Sequence, residues 1–165
     1  MITTDYMEET LRLYSTDENG LTFVWIYGID DNIYIDRGLV GQTANQGSFP
    51  TAKKAAIDLT IKQFTSIGFA EVDEDDMPFL EIVFNVKDKF ADGEELGRRN
   101  ELLDSLEEFL ALTGQGWVDG ASNGMGTMEI GILVVDADIA KLSLQTWLND
   151  NGYGDYREII HLTDE

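Results

Sequence analysis

Hydrophobic and polar positions change period several times along this chain. Leu21–Ile29 (LTFVWIYGI) and Ile33–Val40 (IYIDRGLV) are β-branched and aromatic runs joined by Asp30-Asp31-Asn32, the composition of an antiparallel hairpin. Thr10–Ser15 (TLRLYS) alternates ahead of them and ends at the turn Asp17-Glu18-Asn19-Gly20, so a three-stranded meander is expected. A loop, GQTANQGSF, leads to Pro50, which suits the first turn of a helix because its missing N–H costs nothing there. From Ala52 the period is helical. Ala52, Ala56, Leu59, Gln63 and Ile67 form the predicted stripe, with Ala55, Thr60 and Phe64 beside it and Lys53, Lys54, Asp58 and Lys62 outside. Gly68 is the expected left-handed cap.

The acidic stretch Glu71–Pro78 (EVDEDDMP) separates this pattern from a second one. Two domains are therefore expected, residues 1–72 and 79–165, joined by an acidic linker over 73–78. In the second, Phe79–Val86 (FLEIVFNV) alternates as a strand, Lys87–Gly93 is a loop, and Glu94–Thr113 is helical. Leu96, Leu102, Leu103, Leu106, Phe109 and Leu110 share one arc of that helix; Glu94, Glu101, Asp104 and Glu108 share the opposite one. Gly114 and Gly116 stop it. Then come Trp117-Val118-Asp119-Gly120, a glycine-rich turn reaching Gly131, and the strand Met128–Val135. Asp136 or Asp138 caps a helix running to about Asn149, with Ala140, Leu144, Trp147 and Leu148 apolar, and Arg157–Leu162 closes the pattern as a strand. The class is α+β. The second domain's order, β-α-β-β-α-β, predicts a ferredoxin-like antiparallel sheet with both helices on one face.

Two resemblances add to this reading. Arg37-Gly38-Leu39-Val40-Gly41, Gln42 and Gln46-Gly47, followed by the helix from Ala52 to Gly68-Phe69, make residues 8–72 resemble a WGR domain. That family's Trp-Gly-Arg triplet falls on Arg37-Gly38-Leu39, keeping only the central glycine. The resemblance implies an antiparallel sheet plus one helix and, through Trp and Arg chemistry absent here, contact with DNA ends. The segment Trp117-Val118-Asp119-Gly120, Gly124-Met125-Gly126, Glu129-Ile130 looks like small bacterial ferredoxin-like proteins, several of them toxin-immunity-like.

Charge shapes the functional expectation. The chain holds 11 Lys and Arg against 32 Asp and Glu, a net −21 over 165 residues. Residues 1–74 carry 5 basic and 12 acidic side chains (net −7), and residues 75–165 carry 6 and 20 (net −14). Such a surface repels nucleic-acid phosphates and anionic membranes and attracts basic proteins. The basic residues, Lys53-Lys54, Lys87 with Lys89 and Arg98-Arg99, are scattered, so direct nucleic-acid binding is not expected.

Chemistry finds few footholds. There is no cysteine and one histidine, His161, in a terminal strand. No lysine follows the glycines in the manner of a phosphate loop, and they lie between two strands rather than before a helix. Asp73–Asp76 lacks the alternating oxygen ligands, central glycine and later glutamate of a calcium loop. The opening MITTDYMEETLRLY has no basic n-region or apolar h-region, so no signal peptide and a cytoplasmic location are expected. No catalytic residue, cofactor or metal is expected. The leading expectation is a non-enzymatic acidic binding protein, an immunity-type inhibitor of a basic toxin or nuclease, with Glu94, Glu101, Asp104, Glu108, Trp117 and Asp119 as contacts. The alternative is a WGR-type nucleic-acid-associated regulator.

Overall fold

The computed structural model describes residues 2–86 and 93–163. It is α+β, with two four-stranded antiparallel sheets. The chain divides into two compact units, Met1–Asp73 with Leu112–Gly114, and Glu74–Ala111 with Gln115–Glu165.

In the first unit β1 (Leu11–Asp17), β2 (Gly20–Ile29), β3 (Asn32–Leu39) and β4 (Asn45–Pro50) pair in chain order, and a single-turn 3-10 helix leads into α1 (Lys54–Ser66). The meander has four strands, not three: the expected loop after Gly41 supplies β4, whose Gly47 pairs with Ile35 and Phe49 with Ile33. Leu11, Leu13, Val24, Ile26, Ile33 and Ile35 form the buried sheet face against Ile57, Ile61 and Phe64 of α1. The predicted helix stripe is the wrong one. Leu59 and Ile67 are 59% and 70% exposed, because Ile57, Ile61 and Phe64, at i, i+4 and i+7, offer more apolar area on the opposite arc. The cap is as expected: Gly68 has φ +106°, Phe69 N–H donates to Phe64 C=O and Gly68 N–H to Thr65 C=O.

In the second unit β5 (Phe79–Asn85), α2 (Gly93–Leu112), β6 (Gly116–Gly124), β7 (Thr127–Val134), α3 (Ala137–Asp150) and β8 (Glu158–Leu162) give a sheet ordered β6-β7-β5-β8. This is the split βαβ arrangement of ferredoxin-like folds. Leu80, Ile82 and Phe84 of β5 alternate toward the helices with Ile130 and Ile132 of β7. Leu102, Leu106 and Leu110 of α2, and Ala140, Leu144 and Leu148 of α3, close the core from the other side. Asp136 caps α3, its carboxylate accepting from Ile139 N–H at 2.9 Å. Apart from Gly93, which opens α2, the loop expected at Lys87–Gly93 lies outside the described residues.

The glycine-rich stretch is mostly strand rather than turn. Gly120, Ala121, Ser122 and Asn123 pair with Gly131, Ile130, Glu129 and Met128. The turn contracts to Met125-Gly126, with φ of 55° and 84°, the two positive values of a type I′ hairpin.

Candidate functional site

The acidic arc of α2 is built by the same period that buries its leucines. With Leu102, Leu106 and Leu110 at 1% exposure or less, residues half a turn away must face solvent. Glu94, Glu101, Asp104 and Glu108 are all exposed and fall within about 80° of arc over about 20 Å of helix. Among the described residues, no basic side chain pairs with Glu101, Asp104 or Glu108. The nearby cation Arg98 is directed elsewhere. It donates to Asp155 at 2.9 Å and to the Gly152 carbonyl at 3.2 Å, and its guanidinium lies 5.2 Å from the Tyr153 ring centre. That ring ends a stack of Phe109, Trp147 and Tyr153 along the α2–α3 seam.

This arrangement costs helix stability. Asp104 and Glu108 repel at i, i+4. Glu108 also stands near the negative end of the helix dipole, and the last turn contains no basic residue. Glu107 differs from its neighbours, because its carboxylate accepts from Val118 N–H of β6 at 2.6 Å and so is structural.

Trp117 and Asp119 do not share the helix surface. Val118 packs into the core, so alternation places Trp117 on the sheet face away from the helices, in a cross-strand row with Leu133, Phe79 and Leu162. Val118 pairs with Ile132 and Gly120 with Gly131, which leaves Asp119 as the extra residue of a β-bulge on edge strand β6. Asp119, Glu81 and Glu129 border a shallow depression of about 230 Å³ there. The expected contacts therefore form two surfaces, four helix carboxylates on one layer and Trp117 with Asp119 on the other. Trp117 sits eight residues before the turn at Met125-Gly126.

Two clusters escaped the sequence reading. Asp36 is buried, accepting from Tyr27 Oη at 3.0 Å and Gln46 Nε2 at 2.9 Å. Burial, reinforced by the bond to Asp36 and its charge, pushes the Tyr27 phenol up to about 12. Arg12, Trp25, Asp36 and Gln46 are one cross-strand row, with the Arg12 guanidinium 4.5 Å from the Trp25 ring centre. That row becomes visible only once β4 is recognised.

The second cluster borders a cleft of about 790 Å³ between the N-terminal segment and α1. Tyr6 donates to Asp58, which also meets Lys54 at 3.1 Å, and Thr4 donates to Glu71. Burial, then Asp58, raises the Tyr6 phenol well above its ordinary value, and the Tyr6 hydrogen bond lowers the Asp58 carboxyl. A phenol held protonated and bonded to a carboxylate tethers the segment. It is the reverse of an activated tyrosine. Lys54 and Asp58, at i, i+4, were the one signal available in the sequence.

Among the described residues, no group of three His, Cys, Asp or Glu side chains is arranged to hold a metal ion. His161 is exposed on edge strand β8. No described helix is long and apolar enough to cross a membrane. Comparison with known families, curated proteins and solved structures finds no match to this chain.

Proposed function

We propose that this chain is a non-catalytic binding protein that docks a basic protein on the exposed face of α2, in the manner of an immunity-type inhibitor covering a toxin or nuclease. The observation that carries the reading is the exposed arc of Glu94, Glu101, Asp104 and Glu108, held at a cost to the helix and, among the described residues, without cationic partners at Glu101, Asp104 and Glu108. A cationic partner recovers that cost on binding. The net −21 of the chain supplies long-range steering, and the local arc supplies the orientation in which the partner lands. A cytoplasmic setting fits a chain without cysteine.

The test is capture of basic proteins from the source organism by the full chain and by the triple variant Glu101→Gln, Asp104→Asn, Glu108→Gln. The reading expects one dominant basic protein retained at low salt, released by about 0.5 M salt as charges are screened, and held at least about tenfold more weakly by the variant. Equal retention by the variant overturns it. So does tight binding to nicked duplex DNA at physiological salt, the outcome that the WGR resemblance would require.

A further inference from the structure

The first unit contains a second cavity of different character. Helix α1 and edge strand β4 flank an open cavity of about 560 Å³. Ile35, Ile57 and Phe64 form its apolar base, Phe49 and Gly47 its β4 wall, and Arg37 and Lys53 line it as well. Among the described residues no carboxylate lines it, although residues 1–74 hold 12 acidic side chains against 5 basic ones.

The register explains how this comes about. Arg37 pairs with Val24 and Asn45, so it points to the same side of the sheet as the core residues and reaches over α1. Its guanidinium stands 5.8 Å from the Phe64 ring centre, and it makes no hydrogen bond or ion pair among the described residues. Lys53 makes none either. The neighbouring cleft differs: Lys54 is paired with Asp58, and Asp5, Asp58 and Glu71 line it beside Lys62. Two uncommitted cations on an apolar, carboxylate-free cavity of ligand size define the complement of a small amphiphilic anion.

We propose that this cavity binds a medium-chain or aryl carboxylate. The carboxylate meets the planar fork of Arg37, which suits bidentate recognition, with Lys53 as a second cation. The tail lies along Ile35, Ile57 and Phe64 toward Phe49. This site belongs to the first unit and the acidic helix face to the second, and they share no residue, so either reading can fail alone.

The experiment displaces the fluorescent aryl sulfonate 8-anilinonaphthalene-1-sulfonate from the full chain with octanoate, decanoate, decanol and acetate. Decanoate is expected to displace it about tenfold more strongly than octanoate, since each buried methylene is worth about three- to fourfold. Decanol and acetate should both be at least about tenfold weaker than decanoate, one lacking the charge and the other the tail. Arg37→Gln should remove most of the preference for decanoate over decanol, and Lys53→Gln part of it. Lys62→Gln, in the neighbouring cleft, should leave it unchanged. Equal displacement by decanol and decanoate, an unchanged preference in Arg37→Gln, loss in Lys62→Gln instead, or no binding of decanoate overturns the proposal.

Discussion

Helices α1 and α2 do the same structural work with opposite surface chemistry. Each seats a short aliphatic stripe on a four-stranded antiparallel sheet, Ile57 and Ile61 in one unit and Leu102, Leu106 and Leu110 in the other. Around α1, Arg37 and Lys53 line an apolar cavity that has no carboxylate among the described residues. Along α2, carboxylates form an arc in which Glu101, Asp104 and Glu108 make no ion pair among the described residues. The core decides where each helix sits and leaves its outer arc open. A net charge of −21 therefore does not describe the surroundings of α1, and the two surfaces offer opposite charge.

The comparison can be broken first at the cores. Leu106 is fully buried among α2, α3 and the sheet, whereas Ile61 of α1 is 8% exposed in a smaller cluster. Leu106→Ala should cost about 3–4 kcal/mol and Ile61→Ala about 2 kcal/mol in urea unfolding. The reverse ranking would mean that the first unit, not the second, carries the tighter packing.

Next comes the buried acid of the first unit. Asp36→Asn should destabilise by about 1–2 kcal/mol, because Tyr27 and Gln46 lose a charged acceptor. The Tyr27 titration, followed by phenolate absorbance, should fall from about 12 toward the ordinary 10.0. Tyr27 is raised in the folded state, so its stabilisation is complete below the unfolded pKa and is lost as pH rises through about 12. An unchanged titration would remove Asp36 from the account of that shift.

Smaller effects probe the second unit's surface. The Arg98 hydrogen bond lowers the Asp155 carboxyl, so that pair stabilises above the ordinary carboxylate range and loses its contribution as pH falls through the folded value. Both side chains are largely exposed, so Arg98→Gln should cost no more than about 0.5–1 kcal/mol, shrinking in high salt. Smallest is Glu108→Lys, which should stabilise the fold by about 0.5 kcal/mol by relieving Asp104 and the helix terminus. It should also weaken capture of the basic partner. A variant that gains stability and loses binding separates the acidic arc's cost to the fold from its use.

The sequence made some of this legible. Strong alternation in Phe79–Val86 and Met128–Val135, with the leucine arc between them, was enough to place β5, α2 and β7. Asp136 and Gly68 announced their helix ends through cap chemistry. β4 stayed hidden because Asn45–Pro50 has no β-branched residue, and its strand form comes from pairing with β3. On α1 the alanines share a helical period with Leu59 and Ile67, but burial rewards the larger Ile57 and Ile61. The glycines of Gly120–Gly124 suggested a turn, yet one dipeptide, Met125-Gly126, takes the positive φ that reverses the chain. The helix carboxylates could be grouped from spacing alone. That Trp117 and Asp119 lie on the other layer required the register of β6, including its bulge.

The most direct measurement is a titration of the isotope-labelled chain with the captured basic partner, followed through backbone amide shifts. The account predicts the largest shifts along α2 from Glu101 to Glu108, diminished by about 0.5 M salt and absent in the triple variant. Shifts centred on β4 and α1, shifts centred on Trp117 and Asp119, or a salt-insensitive pattern would contradict it.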